Sequence, residues 1–158
     1  MSEIGNLALA RIAGAQVIAT GTVAVDASNE SVIGTGAASA GGAGNASVRG
    51  SDTTNIILNE TIAEVCAIGR CDGDASQPGP DVVEISADGV VVRAADRSTI
   101  NSLAGQVGGA ANAAVGGALA HNQVANRAVA SASAAVLKVT QKANVEAENA
   151  STIRTLAI

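Results

Sequence analysis

The chain has no phenylalanine, tyrosine or tryptophan, and only one methionine, one histidine, two prolines and two cysteines. An ordinary globular core is therefore unexpected, since aromatic side chains usually supply much of its buried area. The same absence removes the rings on which unpaired bases stack. Basic residues are also few: 9 Lys and Arg stand against 14 Asp and Glu, for a net charge of −5. Without a basic run, a phosphate-backbone partner is excluded, and no nucleic acid is expected. Two cysteines and one distant histidine are too few for a zinc centre. The opening MSEIGN lacks the basic and apolar regions of a secretion signal. Long apolar runs are missing too. Ile12 to Val25 is broken by Gln16, and Ala104 to Ala120 carries Gln106 and Asn112. No membrane insertion is expected from either. If the protein works outside a cell, the chain is expected to be a piece excised from a longer precursor, with Met1 added.

What is present is small and apolar. The 158 residues are one domain's worth, 47% hydrophobic and 15% charged, with 18 glycines. So low a charge argues against disorder. Alanine, valine, isoleucine and glycine fill a narrow interior, which suggests a thin cross-section repeated many times.

The repeats are visible. Ser98 opens STINSLA and Ser151 opens STIRTLA, 53 residues later; Ser2 opens SEIGNLA, 96 residues before Ser98. Upstream, Val90 to Ala94 superposes on Ala143 to Ala147, with Val92 on Val145. A shift of 96 also sets Thr22 to Asp26 against Ala118 to Asn122. On this reading one unit covers about 2–97 with an insertion near 41–81, a second covers 98–150, and a third opens at 151–158. Such self-similarity marks stacked units, none of which buries its apolar face alone.

Helix and strand compete for these units, because alanine is the best helix former. Gly105, Gly108, Gly109, Gly116 and Gly117 would each cost a helix about 1 kcal/mol relative to alanine. The periodicity is two: Ala128, Ala130, Ala132 and Ala134 alternate with Val129, Ser131 and Ser133, and Ala143, Val145 and Ala147 alternate with polar residues. Alternation of that kind turns one set inward and the other to solvent along a strand. Short strands, turn residues and a small-residue interior predict an all-β chain, a parallel β-solenoid of about 20 residues per coil with one loop insertion. The expected rod is on the order of 30–40 Å long.

Two stretches, Gly21-Thr22-Val23-Ala24-Val25-Asp26 and Gly117-Ala118-Leu119-Ala120-His121-Asn122, followed by Ser98-Thr99-Ile100 or Ser151-Thr152-Ile153, carry a family likeness. The pattern resembles the repeat regions of large secreted bacterial adhesins, the filamentous-haemagglutinin and leukotoxin-like passengers, over most of residues 2–40 and 82–158. The resemblance implies a right-handed parallel β-helix, export to the cell surface and service as a stalk or adhesive fibre. It carries over no catalytic residues, and the sequence departs from the family's pattern in showing no secretion domain.

Candidate sites are sparse. Cys66 and Cys71 would form a disulfide at the base of a loop in an oxidising compartment, or remain reduced thiols in the cytosol. Asp72, Asp74 and Ser76 alternate like the first ligands of a calcium loop, but Gln77 and Val83 replace its glycine and its bidentate glutamate. That leaves a weak calcium candidate on a surface turn and no expected cofactor. His121 aligns with apolar Val25 and has no partner spacing for a triad. Asp81, Glu84, Asp88 and Asp96 are the densest acidic set. Asn29, Asn45, Asn59 and Asn149 open N-x-S/T sequons. Thr20-Gly21-Thr22 occurs once, too little for an ice-binding face.

The reading is a structural or adhesive segment of a secreted or cell-surface fibre rather than an enzyme. It is expected to associate end to end, with host or cell-surface contact through the 41–81 insertion. The alternatives are a glycan-binding or glycan-acting β-helix, which lacks aromatic platforms for sugar rings, and a membrane-active segment around Gly108 to Gly117.

Overall fold

The computed structural model describes residues 1–68, 70–71 and 82–158. Eight strands account for nearly all of them: β1 (Ser2–Ala13), β2 (Gln16–Ile18), β3 (Thr22–Ala43), β4 (Ala46–Cys66), β5 (Val83–Ala110), β6 (Ala113–Val124), β7 (Arg127–Ser133) and β8 (Ala135–Ala157). No α-helix occurs among the described residues. The strands form two parallel sheets, one ordered β1-β4-β6 with β7 also on β4, the other β2-β5-β3 with β8 also on β5.

The chain visits the sheets alternately and so builds three tiers. The first tier is β1 with β2 and β3, the second β4 with β5, the third β6 and β7 with β8. Ser2 pairs with Asn55 and Asn55 with Asn122; Val23 pairs with Val90 and Val90 with Ala143. Parallel pairing in register stacks like on like, and each chain return is long enough for the crossover that parallel strands require.

The sheets face each other through alternate side chains. One cluster joins Val25, Ala27, Ala63, Val65, Ile85, Val90, Val92 and Ala94 across both sheets. A second joins Ile33, Ile57 and Ile100, flanked by Ile4 and Val124. Small residues serve because the layer is thin and its content repeats on every tier. In β5 the buried set switches from Val83, Ile85 and Ala87 to Val90, Val92 and Ala94. A register shift between Ala87 and Gly89 changes the parity and keeps the apolar set inside.

Several expectations change. The units from Ser98 and Ser151 are neighbours in register, Ser98 on Ser151 and Leu103 on Leu156. The Ser2 heptapeptide is not their third copy; it lies in the opposite sheet, and the partner of Ser98 in the first tier is Ser31. The error has a physical source. Both sheets line one interior, so both bury serine, isoleucine and small polar residues at alternate positions. Likewise Thr22 to Asp26 pairs with Gly89 to Arg93, while Ala118 to Asn122 pairs with Ser51 to Asn55.

The insertion near 41–81 is also narrower. Residues 46–66 are the central strand of their sheet, joined to β6 and β7 on one side and, over 55–66, to β1 on the other, so they belong to the stack. A full 53-residue return makes one tier, not two or three coils. Three tiers about 4.8 Å apart span roughly 10 Å from first to last, so the molecule is short along the stack and broad across it.

Candidate functional site

Between the two apolar clusters runs a polar band. On one sheet it stacks Asn6, Asn59 and Asn126; on the other Asn29, Asp96 and Asn149, then Ser31, Ser98 and Ser151. A buried polar group is costly unless bonded, and these bond mainly across the interior. Asn59 Nδ2 donates to Ser31 Oγ at 2.9 Å and to Ser98 Oγ at 3.2 Å. Asn126 Nδ2 donates to Ser98 Oγ at 2.6 Å and to Asp96 Oδ1. Asn6 Nδ2 reaches Ser31 Oγ at 3.2 Å. Each asparagine of one sheet thus meets serines of the other, and Asn59 bridges two successive tiers.

Asp96 is the one acid in this band and is fully buried. Its carboxylate accepts from Ser98 Oγ at 3.1 Å, Thr61 Oγ1 at 3.3 Å and Asn126 Nδ2. A second polar rank lies beyond the isoleucines. Asn55 Nδ2 donates to Thr35 Oγ1 and to Asn122 Oδ1, and Asn122 Nδ2 donates to Thr155 Oγ1.

Of the expected acidic set, Glu84 and Asp88 do not converge with Asp96. Glu84 faces outward and pairs with Lys138. The hydrogen bond and charge of Lys138 hold its carboxyl below the usual carboxylate range, with Gln16 adding a smaller contribution. Asp88 accepts from Thr140 Oγ1 at 3.1 Å. Asp81 lies outside the described residues, as do the calcium candidates Asp72, Asp74 and Ser76. His121 is exposed beside Thr54, not on the apolar column of Val25.

Cys66 and Cys71 are joined in a disulfide with Cα atoms 5.4 Å apart. A carboxylate oxygen of Glu64 lies within 4.8 Å of both sulfurs. The sulfurs are bonded to each other and Glu64 is paired with Arg11, so no free thiolate is presented there. The open end of the interior is different again. A Cβ on Gly116 would overlap the Gln106 carboxamide, and one on Gly41 the Arg49 guanidinium. Glycine there makes room for large polar side chains inside, so the Gly108 to Gly117 stretch belongs to the paired strands β5 and β6.

The sequons take on another meaning. In Asn29-Glu30-Ser31, Asn59-Glu60-Thr61 and Asn149-Ala150-Ser151 the asparagine and hydroxyl residue are two apart, hence on one face of a strand, and that face is inward. Asn59 is too buried to accept a glycan in the folded chain. Asn45, in the exposed turn before β4, is free of that constraint.

Sequence reasoning missed the clearest repeat. From Val25 to Ala37 every inward residue recurs 120 positions later: Val25 and Val145, Ala27 and Ala147, Asn29 and Asn149, Ser31 and Ser151, Ile33 and Ile153, Thr35 and Thr155, Ala37 and Ala157. None of the intervening outward residues is identical. Comparing alternate residues at that separation would have found it. No family model, no curated protein and no solved structure matches this chain.

Proposed function

We propose that this chain is a right-handed parallel β-helix that serves as a structural or adhesive segment of a secreted or cell-surface fibre, stacking head to tail into filaments. The observation that carries the reading is the inward column of alanine, valine, asparagine, serine and isoleucine, held in parallel register over three tiers. A layer of constant content stacks stiffly and adds length without changing its cross-section. The Cys66–Cys71 disulfide supports an oxidising compartment.

Electron micrographs of the purified chain, taken with its far-ultraviolet circular dichroism, test the reading. Fibres with a β spectrum are expected, and a helix-dominated spectrum sinks it. Strong binding in a glycan array without fibres would favour the glycan-binding rival instead.

A further inference from the structure

Solenoid ends are ordinarily closed by atypical, polar terminal repeats, because an open end shows unpaired strand backbone and uncovered interior. Here the terminal tiers are not atypical. The third tier carries the same apolar column as the others, and there it is uncovered. Ile33 and Ile100 are 5% and 0% exposed, whereas Ile153 is 48% exposed; Val25 and Val92 are 4% and 0%, whereas Val145 is 48%.

A half-tier stagger explains the asymmetry. Asn59 of the second tier sits between Ser31 and Ser98, one tier apart on the facing sheet. Each strand of the second sheet is therefore covered by the first-sheet strands of its own tier and of the next. β3 has β1 and β4 opposite; among the described residues β8 has only β6 and β7 opposite. Ser151 Oγ donates to Asn149 Oδ1, as Ser98 donates to Asp96, yet it receives no asparagine amide.

From this we infer that the uncovered edge is a docking surface for a second copy of the chain, seated so that each residue of its first tier lies beside the residue 120 positions later in the first copy. The inference rests on the stacked-fibre reading and specifies its partner and register. β1 of the incoming copy would continue the sheet of β6 and β7, placing Asn6 beside Asn126 and Ile4 beside Val124. Its β2 and β3 would continue the sheet of β8, and its Asn6 amide would reach the Ser151 hydroxyl. The fit runs without a gap through the corner, where Gly14 and Ala134 occupy corresponding positions with φ of 55° and 47°. The column Val145 to Ala157 would meet seven identical side chains, Val25 to Ala37.

One feature of the joint opposes docking. Asp26 of the incoming β3 would lie directly beside Glu146 of β8, with Ser28 beside Glu148 and Glu30 beside Ala150, while Arg93 and Arg97 of β5 are already engaged with Glu148. Like charges directly opposite across strands are destabilising. Elongation is therefore slow at low ionic strength and quickens as salt screens the pair.

The full chain, followed by sedimentation and electron microscopy, tests the register. Filaments with a strand spacing of about 4.8 Å and an axial repeat of about 14 Å, three tiers per copy, are expected. Glu146→Gln quickens elongation about two- to fivefold at low salt and weakens its salt dependence. Ser151→Lys alters a residue exposed in the single copy, so it keeps the β spectrum and stops elongation. A strict monomer with an intact β spectrum, or filaments formed at unchanged rate by Ser151→Lys, overturns this inference and leaves the stacked fold standing. A helical spectrum overturns the fold reading instead.

Discussion

Asp96 shows how much one side chain decides in this interior. The first and third tiers place asparagine at its level, Asn29 and Asn149, and the second places a carboxylate with three donors around it. Asp96→Ala would remove the acceptor of the buried Thr61 and Ser98 hydroxyls and one of the two acceptors of the Asn126 amide. A loss of about 2–3 kcal/mol is expected in denaturant unfolding. Asp96→Asn, which copies the neighbouring tiers, should change stability by less than about 1 kcal/mol, because the amide oxygen still accepts from Ser98 and Asn126 and the amide nitrogen donates to the Thr61 hydroxyl. Equal losses for both variants would mean that charge, not hydrogen-bond acceptance, is what the site requires.

At the scale of the elements, corners and parity carry the design. The sharp corners of the first and third tiers need a left-handed residue, glycine at 14 and alanine at 134. Glycine adopts that conformation freely; alanine does so at a cost of about 1–2 kcal/mol. Ala134→Gly is expected to raise the unfolding free energy by about 0.5–1 kcal/mol, since glycine's greater freedom when unfolded offsets part of the relief. Gly14→Ala should lower stability more, because its Cβ would also overlap the Ile68 side chain. Urea midpoints for the two variants, moving in opposite directions, check the assignment. The parity switch at Ala87 and Gly89 is a second such device, and it was not legible from alternation alone. Alternation shows that a strand has two faces, not where the chain changes which residues belong to each.

Across the whole molecule, ion pairs pin the third tier to the second: Lys138 with Glu84, Arg127 with Glu60, and Arg93 and Arg97 with Glu148. Hydrogen bonding and charge from Arg97 first, then Arg93, hold the Glu148 carboxyl below the usual carboxylate range, as Lys138 does for Glu84. A carboxyl lowered in the folded state adds stability above its unfolded value and loses that stability as pH falls through the lowered one. Acidification below the ordinary carboxylate range should therefore loosen the third tier before the second. Because the pairs are exposed, the effect is modest and shrinks in high salt. Hydrogen exchange of β8 against β5 across that pH interval measures it, and uniform protection of both strands would contradict the expectation.

The period-two alternation and the shortage of aromatics were enough to determine strands, a parallel stack and a thin aliphatic interior, because these follow from side-chain size and direction alone. The neighbouring repeats at Ser98 and Ser151 were legible for the same reason. Which sheet each repeat joins was decided only by tertiary structure. Two facing sheets that line one layer draw on the same small set of inward residues, so a heptapeptide from one resembles a heptapeptide from the other. The role of Asn59, Asp96 and Asn126 was likewise settled in three dimensions, since their hydrogen bonds cross from one sheet to the other between residues far apart in the chain.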